Sequence, residues 1–454
     1  MGNLTQSILG FVNAPYPHDA PVEARTIAAR GFIDCIGVMI AGAPEPVTQR
    51  LLAAVREQGG RAEARLLLSA ERGLAEQATL VGTAAAHALD YDDYAFANHP
   101  SALLVPAILA EAEVLNADGA AMIDAYLTGY EVWSAIMKRE PDHLHSKGWH
   151  PTGVFGPAGV AAALARLGRL DAESTGNALG LAVAHGGGVM DNFGTDAKSY
   201  QGARAAAAGV TAVRLARHGV TAGPHALDGS GGLLAALSPR GAADLTSTAD
   251  YLGRDWYMAE HGLNIKLHPT VGASQRAIDA AIQLHRDAGV DIDHIQRVVA
   301  TVGEKHAAVM RFPQPRNGLE AKFSLQFGVA AGLITGRVGL TELKDEFVQR
   351  QDLQDLMARV EVVTKEDDDP IYPVGAAADI VELYTRDGGH VVSEPVRRAR
   401  GHGHNPVSDD ELWAKFADCT AGGLASADGR ALFEQLLSLE RLPGISALPT
   451  LTLT

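Results

Sequence analysis

The feature that most constrains this chain is a succession of helix-length segments whose apolar stripes are built largely from small residues. In residues 22–41, Ala24, Ile27, Ala28, Gly31, Phe32, Cys35, Ile36 and Met39 recur at three- and four-residue spacing, the period of one helix face. Gly42, Pro44 and Pro46 stop the segment. The pattern predicts further helices near 74–89, 102–116, 120–138, 155–167, 172–185 and 203–218, separated by short Gly/Pro/Asp breaks. With 49 glycines and only 6% aromatic residues, the helices are expected to pack closely through small contact residues. Cys35 lies on a buried stripe and reads as core.

The texture changes after about residue 270. A predicted helix near 273–287 leads into Ile295–Val302, which is rich in β-branched residues. Then follow a helix near 319–335, two shorter helical stretches to about 357, and strands at 358–364 and 377–385. Asp387-Gly388-Gly389 reads as a hairpin turn into His390–Ser393. After GHGHNP (401–406) helices resume, with Ser408 and Glu411 as a capping box. A helical tail after an α+β stretch predicts that the tail packs back onto the first part. At 454 residues, more than one core is expected, since single cores stop growing at roughly 250–300 residues.

Charge and cysteine usage exclude several classes. A net charge of −16 without Lys/Arg blocks argues against nucleic-acid and anionic-membrane partners. Cys35 and Cys419 alone cannot build a disulfide framework or a Cys-rich metal site. No apolar run approaches the roughly 18–20 residues of a membrane span. The start, MGNLTQSILGF, lacks the basic and long apolar regions of a signal peptide, and Gln6 stands where myristoylation wants Ser or Thr. A cytoplasmic protein is expected.

Four polar clusters interrupt the apolar segments. The densest is His87-Ala-Leu-Asp90-Tyr91-Asp92-Asp93-Tyr94, followed by Asn98-His99-Pro100-Ser101. Carboxylates at a helix C-terminus are disfavoured by the helix dipole and need compensation. Asp92 and Asp93 individually read as solvated loop residues. Asp90 reads as the partner that orients His99 and raises its basicity. The second cluster is Lys147-Gly-Trp-His150-Pro151-Thr152-Gly153, where Thr152 can cap the next helix and His150 precedes its N-terminus. The third, Gly194-Thr-Asp-Ala-Lys198-Ser-Tyr-Gln-Gly202, reads as a polar loop carrying Lys198. The fourth is Asn264-Ile-Lys266-Leu-His268-Pro269. Two lysines and two histidines at the boundaries of apolar elements suggest a pocket for a carboxylate-bearing ligand.

The strings HALDYDDYAFANHPS, GWHPTGVFGPAGVAAA, GTDAKSYQGARAAAAG and IKLHPTVGASQRAIDA are similar in order and spacing to the MmgE/PrpD family. That family includes 2-methylcitrate dehydratase, cis-aconitate decarboxylase and iminodisuccinate epimerase. The resemblance continues through KFSLQF (322–327) and the GHGHNPVSDDELWAKF tail. It implies a mainly α fold, with a large all-helical domain from both chain ends (1–267 and 398–454) and a smaller inserted α+β lid (268–397). It also implies a homodimer that needs no metal or other cofactor. The family's active-site residues correspond to Asp90, His99, His150, Lys198 and Lys266, with Tyr94, Gln201, Arg204, His268 and Phe327 as candidate substrate-binding positions. Tyr94 replaces a small hydroxyl residue, Gln201 a histidine and Phe327 a tyrosine found in decarboxylase-like members, and Gln275 stands where histidine is common. These replacements point to an acid smaller or less charged than methylcitrate or cis-aconitate.

The chemistry this implies is proton abstraction beside a carboxylate, with Lys198 and Lys266 stabilising the developing charge. His99 is expected as principal acid/base and His150 as second proton carrier or carboxylate ligand. Dehydration is the first reading; epimerisation of an amino- or imino-dicarboxylate and decarboxylation are alternatives. Two remote alternatives are a Mg²⁺-dependent isoprenoid enzyme, from Asp90-x-Asp92-Asp93, and a catalytically silent carboxylate-binding protein. His143-x-His145 and His402-x-His404 read as loop histidines, each lacking further zinc ligands. Gly229-Ser-Gly-Gly232 lacks the context of a nucleotide loop.

Overall fold

A computed structural model describes residues 4–289, 291–366, 369 and 376–452, so the Met1-Gly2 start lies outside the described residues. The fold is mainly helical. The first part runs α1 (Leu4–Val12), α2 (Val22–Gly42), α3 (Pro46–Gln58), α4 (Ala75–Ala88), α5 (Pro100–Leu115), α6 (Gly119–Met137), α7 (Pro151–Leu167), α8 (Ala172–Val183) and α9 (Asp196–Arg217). The second part places α10 (Gln275–Ala288) and α11 (Leu325–Thr335) against a sheet of β1 (Ile295–Gly303), β2 (Val360–Lys365), β3 (Ile380–Thr385) and β4 (His390–Val392). The strand order is β2-β1-β3-β4, with β1 parallel to β2 and antiparallel to β3. The chain ends in α12 (Asp409–Thr420) and α13 (Ser426–Leu437), and the Ser408/Glu411 capping box opens α12.

Small residues explain the packing around α7. A Cβ on Gly159 would lie 2.8–3.1 Å from Trp133 of α6, and one on Gly209 of α9 would lie 2.6 Å from Val160. Only hydrogen at these positions lets α6 and α9 close onto α7. Besides a small one of Val38, Leu89, Tyr91 and Cys419, two large apolar clusters result among the described residues. The larger draws on residues 4–265 and again on 407–451; the smaller holds residues 273–383 together with Met190 and Phe193.

Four readings need correction. Lys198 lies in the first turn of α9, not in a polar loop, because Thr195 caps that helix through Ala197 N–H. His150 is the N-cap of α7 without a side-chain cap bond, and Thr152 lies inside the helix after Pro151. The helix expected near 319–335 is two pieces, Gly318–Ala321 and α11, because Ser324 caps Phe327 N–H and restarts the chain. Helices α1 and α3 lay outside the expected set. Among the described residues no single helix is long and apolar enough to cross a membrane; α2 and α3 meet that length and composition only as a pair bent by 84°.

Candidate active site

The segment between α4 and α5 carries the first group of polar side chains inward. Helix α4 ends at Ala88, and Asp90 adopts a left-handed φ of 50°, which an aspartate tolerates better than most residues. Tyr94 N–H donates to Asn264 O and Asn264 N–H to Tyr94 O, both at 3.0 Å. That bridge places Lys266, two residues on, beside Asp90. Lys266 Nζ donates to Asp90 Oδ1 and to Asp90 O, each at 2.7 Å. Lys198 Nζ, from α9, lies 3.0 Å from the same Oδ1. Burial opposes ionisation of Asp90, but Lys198 and then Lys266 outweigh it and hold the carboxyl well below its usual range.

Asp92, read as a solvated loop residue, is fully buried and is the residue that holds His99. Its Oδ2 accepts from His99 Nδ1 at 2.8 Å, and its two oxygens accept from His87 Nδ1 at 3.1 and 3.2 Å. Asp90 is not the orienting partner: its Oδ1 stands 4.0 Å from His99 Nε2. Burial opposes the Asp92 charge, and the His99 and His87 rings more than offset that, holding its carboxyl well below the usual range. Asp93 is also buried; burial and neighbouring Asp34 push it well above that range. Lys415 of α12 fixes the segment from behind, donating to Tyr91 O at 2.8 Å while pairing with Asp34 of α2.

His150 completes the cluster from the N-terminus of α7. Its ring stacks at 6.0 Å on His87, which meets His99 edge-on at 4.4 Å. Its Nδ1 accepts from Gln201 Nε2 at 3.1 Å. Burial, then Lys198, lowers His150 well below the ordinary histidine value, and burial pushes His99 down to about 3. Burial also lowers Lys198. The aromatic wall is Phe193, stacked on Phe323 at 5.4 Å, with Lys198 Nζ 5.7 and 5.4 Å from the two rings. Lys322, next to Phe323, is buried and donates to Ala88 O at 2.7 Å. Asp90 Oδ2, His87 Nε2 and His150 Nε2 are buried and have no hydrogen-bond partner among the described residues, and Lys198 Nζ, also buried, is ion-paired with Asp90 Oδ1.

Asp90, His99, His150, Lys198 and Lys266 therefore come together. The secondary candidates do not share one role. Tyr94 pairs with Asn264, and its ring lies 5.9 Å from Lys266 Nζ. Arg204 donates to His185 O and Gly187 O at 2.8 and 3.0 Å, tying down the glycine loop. His268 has both ring nitrogens engaged, with Val338 O and Asp279 Oδ1, and Phe327 is fully buried in the smaller core. Sequence reasoning passed over His87 and Lys322. A histidine in the last turn of an otherwise apolar α4 was a signal for the first; nothing local marks the second.

His87, Asp90, Asp92 and His99 present metal-ligand atoms within 4.8 Å of one another. The residues do not fit a divalent cation well. Two ammonium groups already neutralise Asp90, and Asp92 is occupied by both imidazoles. The same contacts remove the Asp-rich Mg²⁺ motif as a metal-binding surface.

The fold and this cluster define a mainly helical protein with a buried centre combining paired ammonium groups and imidazoles. The MmgE/PrpD N-terminal domain matches residues 6–246 and the MmgE/PrpD C-terminal domain residues 268–439, and the chain belongs to the MmgE/PrpD family. It is 27% identical to cis-aconitate decarboxylase of Homo sapiens over 82% of this chain and 78% of that protein. It is 25% identical to the cis-aconitate decarboxylase-like protein oryM of Aspergillus oryzae, over 98% of this chain and 96% of that one. Identity to a cis-aconitate decarboxylase of Aspergillus terreus is 23%, over 98% and 95%.

Proposed function

We propose that this protein is a metal-independent lyase that moves a proton on the carbon next to a carboxylate of a small di- or tricarboxylic acid. The observation that carries the reading is the pair of buried imidazole nitrogens without a hydrogen bond among the described residues, His150 Nε2 and His87 Nε2, beside two ammonium groups that share one carboxylate, Asp90. Buried polar groups without partners are rare and call for an explanation. Removing a proton beside a carboxylate builds negative charge on that carboxylate, and fixed cations and N–H donors there favour the transition state over the ground state. Lys198 and Lys266 supply the cations; His99 and His150 supply the imidazoles.

Charge balance favours the smaller acids. Lys198 and Lys266 are matched by Asp90 and Asp92, which leaves Lys322 as the buried cation in excess. A trianion would enter strongly undercompensated, a dianion much less so. Dehydration of a hydroxy-dicarboxylate is the first reading. Decarboxylation is the second, favoured by the relatives that carry that activity in their names; inversion at the same carbon needs no further groups. The reading takes the protein as a cytoplasmic homodimer, with the 268–397 segment covering the site as a lid.

The test is incubation of the purified chain, with EDTA present, in deuterated water with hydroxy-, amino- and unsaturated di- and tricarboxylic acids. Exchange of the C–H next to a carboxylate is expected, with water loss from a hydroxy-dicarboxylate. Release of carbon dioxide from cis-aconitate would move the assignment to decarboxylation. No exchange and no product from any acid would overturn the proposal.

A further inference from the structure

We propose that the two site histidines are locked in opposite tautomers, His99 by Asp92 and His150 by Gln201, so that His99 is the base and His150 a neutral hydrogen-bond donor. The inference rests on the proton-transfer reading above. It also moves Gln201 from substrate binding to positioning.

The orientation of the Gln201 amide follows from its partners. Val189 N–H, a backbone group that can only donate, stands 2.8 Å from Gln201 Oε1, and Asn192 Nδ2 donates to the same atom at 2.7 Å. The atom facing Val189 N–H must be oxygen. The amide nitrogen therefore faces His150 Nδ1 at 3.1 Å and, at 3.3 Å, Val189 O. An amide NH2 has no acceptor capacity, so His150 Nδ1 carries the lone pair and Nε2 carries the proton. Every polar atom of the Gln201 side chain is then engaged within the protein.

His99 is set the other way. An ionised Asp92 can only accept, so His99 Nδ1 at 2.8 Å carries the proton and Nε2 the lone pair. His87 presents Nδ1 to the same carboxylate and shares that tautomer. The charges facing the two rings differ in balance. Asp92, Lys198 and His87 act on His99, with Asp90 Oδ1 4.0 Å from its Nε2. Lys198, His87, His99 and His145 act on His150, and none of these is an acid. Both rings sit at helix N-caps, His99 of α5 and His150 of α7, where the dipole disfavours a cation, so the acids that face His99 alone make the difference. His150 is the ring that stays neutral.

The step balances as follows. The substrate C–H bond breaks and the proton goes to His99 Nε2. The electron pair moves into the adjacent carboxylate as an enediolate, and the new imidazolium is matched by Asp92. His150 keeps its proton, because release would leave an imidazolate. Its Nε2–H donates to the oxygen on which charge develops, beside Lys198. A neutral imidazole near a helix N-terminus is suited to polarising such an oxygen.

Long-range ¹H–¹⁵N spectra of full-length protein labelled at histidine nitrogens, assigned with His99→Gln and His150→Gln, read the tautomers without any substrate. His150 is expected to carry its proton on Nε2 and His99 on Nδ1 near neutral pH. In Gln201→Glu the carboxylate accepts instead, which should put a proton on His150 Nδ1. Solvent exchange of the substrate C–H should then fall about 10²-fold in kcat, with a smaller change in KM. A wild-type spectrum with both rings in one tautomer, or with His150 protonated on Nδ1, would overturn the proposal even if the variant fails to fold. So would a Gln201→Glu protein that exchanges at the wild-type rate. Opposite tautomers with no exchange from any acid would instead overturn the proton-transfer reading.

Discussion

Asp90 and Asp92 stand two residues apart yet serve different partners, because the left-handed turn at Asp90 sends the two side chains apart. Asp90 meets the lysines; Asp92 meets the imidazoles. This difference sets the ranking of two substitutions. Asp90→Asn removes the carboxylate that two buried ammonium groups share and leaves them only the more distant Asp92, whereas Lys266→Met leaves Asp90 paired with Lys198. Breaking a buried pair costs about 3–5 kcal/mol, so Asp90→Asn is expected at or above that range and Lys266→Met below it. Urea midpoints check this, and equal losses or the reverse order would contradict the pairing. Both variants should lose catalysis by orders of magnitude. Residue types and boundary positions made Asp90, His99, His150, Lys198 and Lys266 legible as candidates in the sequence. Their wiring was not legible, because it depends on one φ angle and on contacts such as that of Gln201 with Val189, made by loop backbone.

At the scale of elements, periodicity located α2, α4, α5, α6 and the strands of the sheet well, since each buries a repeating apolar set. It lost α3, whose exposed face carries Gln49, Arg50, Arg56 and Glu57, and it began α9 late because the first turn is polar. That first turn is where Lys198 is presented, so helix and site are misread together. Close backbone approach also positions His150. Gly187 N–H donates to Gly153 O, His150 N–H donates to Gly188 O, and a Cβ on Gly153 would lie 2.4 Å from Gly187 O. Gly153→Ala must therefore push the glycine loop away from α7, which is expected to cost about 1–3 kcal/mol. It should also impair catalysis through His150. Gly176→Ala in α8 is the control: its nearest neighbours would be Leu9 methyl groups at 3.7 and 3.8 Å, an ordinary contact. Added helix propensity of about 1 kcal/mol makes that variant neutral to stabilising. Thermal melts of the pair test this; a destabilised Gly176→Ala with an unaffected Gly153→Ala would reverse the argument.

For the whole molecule, burying so many ionisable groups makes stability depend on pH. Burial holds His99 and His306 at about 3 and lowers His87 and His150. The unfolded chain protonates these rings near the ordinary histidine value of about 6.5, and the native chain protonates them only at lower pH. Between those limits the unfolded state binds more protons, so each such ring removes about 1.4 kcal/mol of stability per pH unit as pH falls below 6.5. Buried carboxyls work in the opposite sense. Glu131 and Asp379, pushed up to about 7 by burial, stay protonated in the native state while their unfolded counterparts ionise above about pH 4. They weaken the native state as pH rises towards 7. The buried histidines outnumber the buried acids with raised values, and Asp90 and Asp92, held ionised, act with the histidines at low pH. The net slope between about pH 4.5 and 6.5 is therefore a loss of stability on acidification. Melting temperature is expected to peak near neutrality and fall steeply towards pH 5. A flat profile, or one rising on the acid side, would mean that these histidines are already protonated in the folded protein. In that case a neutral His150 would lose its physical basis.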